Sequence, residues 1–88
     1  MNDNFDLQHQ YKLYLQRVNL DESTMHPVQR IETKRAFMGA CGQMLLLLRD
    51  DLTQLSEEKA AETLQDMITQ VQIFFTEECK RINSTLNN

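Results

Sequence analysis

Eighty-eight residues, 41% hydrophobic and 25% charged, make one domain near the lower end of what buries a self-sufficient core. The formal net charge of −4 argues against sequence-independent binding to DNA or RNA, which relies on clustered Lys and Arg. With two glycines and one proline there is little to punctuate strands, so the expected class is all-α.

The first helix is expected over about residues 5–18, with Leu7, Tyr11, Tyr14, Leu15 and Val18 on one stripe. Asn4 is its expected cap, and Asn19 its exit through a left-handed conformation. Residues 19–26 form a turn-rich connector that Leu20 and Met25 anchor to the core. Pro27 opens the second helix, because proline is tolerated at the first helical position and disfavours helix in the residue before it. That helix continues to about residue 52. Ser56 then caps a third, over about 57–83, with Glu57 and Glu58 at its positive dipole end. Its apolar stripe comprises Ala60, Ala61, Leu64, Met67, Ile68, Val71, Phe74, Phe75 and Ile82, and residues 84–88 are read as a frayed polar tail. The short link between helices two and three predicts an antiparallel helical hairpin, with the short first helix packed on it.

Four consecutive leucines, 45–48, sweep most of the way round helix two, since successive helical residues are about 100° apart. Phe37, Cys41, Met44 and Leu48 form one strip, and Ile31, Met38, Leu45 and Leu52 a second; both are expected to face helices one and three. Leu46 and Leu47 point away from both strips, and Ala36, Gly39, Ala40 and Gly42 lie on or near the same outer side, where another backbone can approach. The expectation is a homo-oligomeric bundle whose interface includes Ala36, Gly39, Ala40, Leu46 and Leu47.

Charge raises a second question. Arg30 and Lys34 sit on the N-terminal end of the strip that continues into Phe37, while Glu78 falls on the line of Leu64 and Val71. One reading pairs Arg30 with Glu78 across the hairpin, with Lys34 lying over Phe74. Another makes Arg30 and Lys34, beside the helix N-terminus, an anion pocket with Tyr11 or Tyr14 as a stacking surface. Both remain open, and they are compatible with each other.

Enzymatic patterns fail. Glu58, Glu62 and Asp66 have the four-residue spacing of metal-binding carboxylates but lie opposite the apolar stripe, and no second acidic motif accompanies them. His9 and His26 have no spacing partner for a metal, and no phosphate loop, nucleophile elbow or Cys–His pairing occurs. His26 reads as a helix-entry residue. Cys41 and Cys79 are read as buried reduced thiols, and Met38, Met44 and Met67 as core filler. No metal or cofactor is called for. The nearly apolar run 36–48 is too short to span a bilayer, and "MNDNFD" is acidic where a signal peptide is basic. A cytoplasmic protein without a membrane partner is expected.

The stretch "HPVQRIETKRAFMGACGQMLLLLRDDLTQLSEEKAAETLQDMI" resembles small all-helical proteins of bacteriophages and prophages. A short aromatic first helix, then a long hairpin with "SEEK" opening its second arm, is similar to the hairpin domain of phage anti-CBASS and anti-Thoeris sponge proteins. That resemblance implies a non-enzymatic oligomer in the host cytoplasm that sequesters a cyclic oligonucleotide signal. Its matching positions are Tyr11 for stacking and Arg30 or Lys34 for phosphate. The chain departs from the family pattern at "QDMITQVQIFF", where an acid pair and an aromatic are usual.

Two function classes follow. One is an oligomeric module that binds a cyclic oligonucleotide or other small anion at subunit junctions through Tyr11, Arg30 and Lys34. The other is a phage protein–protein interaction element, inhibitor or scaffold, acting through the leucine-rich face of helix two.

Overall fold

The computed structural model describes residues 3–86, and 88% of these are helical, with no strand among them. The all-α class follows directly. Three helices carry the chain: α1 over Leu7–Arg17, α2 over Pro27–Asp50 and α3 over Glu57–Leu86. Short 3-10 turns at Asp3–Phe5, Glu22–Thr24 and Leu52–Gln54 precede or link them.

Local side-chain chemistry sets each boundary. Asp3–Phe5 closes a 3-10 turn, so the cap of α1 falls to Asp6 and not to Asn4. The extended Asp6 accepts the Gln8 N–H on Oδ1 at 3.1 Å. At the other end Asn19 takes a positive φ of 58°. The Leu20 N–H then donates to the Leu15 carbonyl at 2.9 Å and the Asn19 N–H to that of Gln16 at 3.2 Å. These two bonds make a Schellman closure, which satisfies carbonyls that a helix end otherwise leaves bare.

The connector is built on Asp21, whose Oδ1 accepts from both the backbone N–H and the hydroxyl of Ser23. These bonds hold the Asp21 carboxyl below its usual range. Met25 is buried and anchors the connector, whereas Leu20 is exposed and does not. His26 caps α2: its Nδ1 accepts the Val28 N–H at 3.1 Å, and its carbonyl accepts the Arg30 N–H. Helix α2 ends at Asp50, where Thr53 turns its hydroxyl back onto the Arg49 carbonyl. Ser56 caps α3, its Oγ accepting the Lys59 N–H at 3.2 Å. Helix α3 then runs through the expected tail to Leu86, with the Thr85 hydroxyl bonded to the Arg81 carbonyl, and residues 87 and 88 lie outside the described range.

The chain divides into two compact units, Met1–Leu46 and Leu47–Asn88. The first holds the core: Tyr11, Leu15 and Met25 are buried, and Phe37 and Met38 of α2 pack against them. The Phe37 ring lies 5.1 Å from that of Tyr11 and 5.3 Å from that of Tyr14, both tilted. Of the two α2 strips, only Phe37 and Met38 join this core, while Ile31, Met44 and Leu45 stay exposed. In the second unit no described residue is buried.

Asn19 holds the left-handed position at a cost that glycine does not bear and a β-branched residue bears in full. Asn19→Gly is expected to raise the melting midpoint of the first unit, by about 0.5 kcal/mol or more in stability. Asn19→Val is expected to lower stability by about 1–2 kcal/mol in the same denaturation series.

Candidate functional site

The residues proposed for anion binding all lie in the first unit, and each already has a structural employment. Tyr11 has no exposed surface; it is the centre of the core and presents no face on which a base can stack. This corrects its assignment as a stacking residue: the α1 stripe turns Tyr11 inward against Phe37, and Tyr14 is the partly exposed one of the pair. Arg30 is exposed, yet its Nε donates to the Glu22 carbonyl at 3.1 Å and its Nη2 to that of Met25 at 3.4 Å. It straps the connector to the first turn of α2. Glu78, the other half of the alternative ion pair, is held instead by Arg81 of its own helix at 2.9 Å, which keeps its carboxyl below the usual range. Lys34 stands with Nζ 5.8 Å from the Tyr11 ring centroid, a cation–π contact that replaces the expected one over Phe74.

Nor is the start of α2 open to an anion. Pro27 has no N–H, Val28 donates to His26 Nδ1 and Arg30 donates to the His26 carbonyl, which leaves the N–H of Gln29. A helix terminus whose donors are spoken for attracts phosphate weakly.

The proposed oligomer residues separate. Leu46 is 48% exposed, whereas Leu47 is half-buried and turns towards α3. With Leu48, Asp51, Leu52, Leu55, Thr63 and Met67 it lines an apolar cleft of about 170 Å³ inside the second unit. Leu47 is therefore not part of an outward pair with Leu46. Ala36 and Ala40 are exposed but help floor a groove walled by Tyr14, Leu20 and Phe37, and are not an open stripe. A Cβ added at Gly39 or Gly42 meets nothing within 4 Å, so neither glycine is required by packing inside the chain. Cys41 is partly buried and Cys79 exposed; both are free thiols, and Cys79 is not the buried one expected.

The apolar stripe of α3, which its periodicity assigns to the interior, is exposed. On α3, Leu64, Ile68, Val71, Phe74, Phe75 and Ile82 recur at three- and four-residue intervals on one side of a thirty-residue helix. Val71 is 56% exposed, Phe74 58% and Phe75 54%. Within residues 47–88 only the end of α2 and the linking turn are available to cover them, and these reach Thr63 and Met67. Phe74 and Phe75 touch each other edge to face at 5.2 Å. Glu78 sits on the same side and is neutralised by Arg81, so the face carries no unpaired charge among its described residues.

Among the described residues no three His, Cys, Asp or Glu side chains gather as a metal site, and no helix is long and apolar enough to cross a membrane. Comparison with protein-family models, with curated proteins and with solved structures found no match.

Tyr11 supplies a test of the core. Its hydroxyl is buried with no hydrogen-bond partner, and burial, then the nearby Glu22 charge, raises its pKa. Tyr11→Phe removes the orphaned hydroxyl and is expected to stabilise the protein by about 1 kcal/mol. The wild-type group binds its proton more tightly folded than unfolded, so its contribution is full below pH ~10 and falls as pH climbs above that value. Tyr11→Phe is expected to flatten this alkaline loss, read as the difference between melting midpoints at pH 8 and pH 10.5.

Proposed function

We propose that this chain is a non-enzymatic, cytoplasmic helical interaction element that works by pairing the apolar face of α3 with another helix. The observation that carries the reading is the exposure of six large apolar side chains along one side of α3, with aromatic residues at its middle. Soluble monomers rarely keep so continuous a stripe wet, and such stripes mark association surfaces. Aromatic enrichment and freedom from unpaired charge are features of interface cores.

Two ways of covering the face compete. In one, α3 folds back along α2 of its own chain as an antiparallel hairpin. In the other, copies associate into a homo-oligomeric bundle. The second has more support, because Phe37 and Met38, the α2 side chains a hairpin would use, already pack on Tyr11, Leu15 and Met25. The exposed Ile31, Met44, Leu45 and Leu46 of α2 extend the same argument, since they too lack a cover.

Sequestration of a cyclic oligonucleotide, implied by the resemblance to phage sponge proteins, draws less support. Tyr11 is buried, Arg30 holds backbone carbonyls and His26 fills the start of α2. Lys34 alone of the three expected ligand residues is neither buried nor engaged in a side-chain hydrogen bond.

Phe75→Glu places a charge in the middle of the proposed surface. It is expected to weaken assembly by tenfold or more, on the scale of about 1.5–3 kcal/mol for one large side chain, while the ellipticity of α1 and α2 persists. Sedimentation mass against concentration reads this directly. A wild-type mass of one chain at every concentration, unchanged by the substitution, would overturn the reading in favour of the fold-back hairpin.

A further inference from the structure

An uncharged segment occupies the middle of α3. Residues 67–76 carry no charge, with ten helical residues before them and ten after. The preceding ten hold Glu57, Glu58, Glu62 and Asp66 against the single Lys59, a clear negative excess. In the following ten, Glu77 and Glu78 are balanced by Lys80 and Arg81. Ile68, Val71, Phe74 and Phe75, four of the six apolar side chains of the face and among them its three most exposed, fall in the uncharged centre. A charge-free, aromatic middle between charged ends is the arrangement of an interface core and its rim.

We infer that the occupant of this face is α3 of a second copy, laid antiparallel across a two-fold axis at the centre of residues 67–76. The inference rests on the interaction reading above and adds to it the partner, the direction and the register. Direction follows from charge. In a parallel, in-register pair Glu78, which lies on the apolar face, is set beside its own copy, and both helix dipoles point the same way. Antiparallel pairing about residues 67–76 instead sets the two Glu78 side chains far apart, each beside the apolar end of the partner near Leu64, and the dipoles oppose. Register follows from the central position of the uncharged segment: with the axis there, each copy lays its own apolar middle on the other, as a self-complementary two-fold contact requires.

The surface is large enough. Six large side chains at about half exposure offer on the order of 500 Å² of apolar area per copy. A pair removes about 1,000 Å² of it from water before the flanking polar groups are counted, which reaches the range of specific interfaces. The ion pairs of α3 leave this contact intact, since Lys59 with Glu62, Lys80 with Glu77 and Arg81 with Glu78 all close within one helix.

The exposed Cys79, one turn from Phe75 and Ile82, is a built-in reporter of direction. In a parallel pair two Cys79 thiols are neighbours; in the antiparallel pair they stand about 22 Å apart along the axis at 1.5 Å per residue, beyond disulfide reach. The experiment compares two full-length variants under mild diamide oxidation, on non-reducing gels, alongside sedimentation mass. One carries Cys41→Ser and keeps Cys79. The other carries Cys41→Ser, Cys79→Ser and Val71→Cys, with Gln72→Cys as a second central position should Val71→Cys reduce helicity. At equal times the central cysteine is expected to give at least tenfold more covalent dimer than Cys79. Cross-linking of Cys79 as fast as the central position would overturn the antiparallel arrangement while leaving self-association in place. A dimeric mass with no cross-link at either central position would move the contact off α3. Monomeric mass for both variants and the wild type would remove the interaction reading as well.

Discussion

A helix with a broad apolar stripe is stable in water only when something covers that stripe, since helix propensity alone sustains short isolated helices poorly. In this chain the constraint falls on α3. Its thirty residues present a row of Leu, Ile, Val and Phe broken only by Glu78, and its own unit supplies only the turn at residues 51–56 and the last residues of α2. The first unit meets the same constraint differently, because α1 is short enough to be seated whole. Tyr11 and Leu15 close on Phe37 and Met38, with Met25 brought in by a connector that Asp21 and Arg30 hold in shape. One helix thus has its cover within its own unit, and the other is the one for which we propose a second copy.

The polar residues that first invite a ligand are the ones that build the first unit. Arg30 spends its guanidinium on the Glu22 and Met25 carbonyls, which lie just before a helix start and have few other donors. Lys34 lies against the face of the ring that fills the core. The orphaned hydroxyl of Tyr11 is the one blemish in this packing. A misplaced cation on an apolar strip can be a binding residue or a strap, and the choice depends on whether backbone acceptors converge on it. Here they do.

Much of the architecture was legible in the sequence, and the legible part is the local part. Pro27, Asn19 and Ser56 declare helix ends because their effects act within four residues, and each occupies the position its chemistry demands. The errors at Asn4 and at the C-terminal tail have local causes too: Asp6 is the better carboxylate cap once Asp3–Phe5 turns, and residues 84–86 continue a helix that Thr85 ties to Arg81. Periodicity identified which side of each helix is apolar, but it does not say what lies opposite. For that reason periodicity puts Tyr11 on the apolar stripe of α1 without telling a core ring from a stacking surface, and it does not say that Leu47 turns inward or that the α3 stripe stays exposed. One signal in the sequence did point to the last of these: ten consecutive uncharged residues in the centre of a helix whose ends are crowded with Glu, Asp, Lys and Arg.

The central claim is that α3 owes its stability to a second copy. Amide hydrogen exchange resolved along the chain, at protein concentrations spanning the assembly range, tests it most directly. The account predicts that protection over residues 64–82 rises with concentration, while the amides around Leu15 and Phe37 exchange at a constant rate. Strong protection of α3 that is the same at every concentration, in a species of one-chain mass, would contradict it.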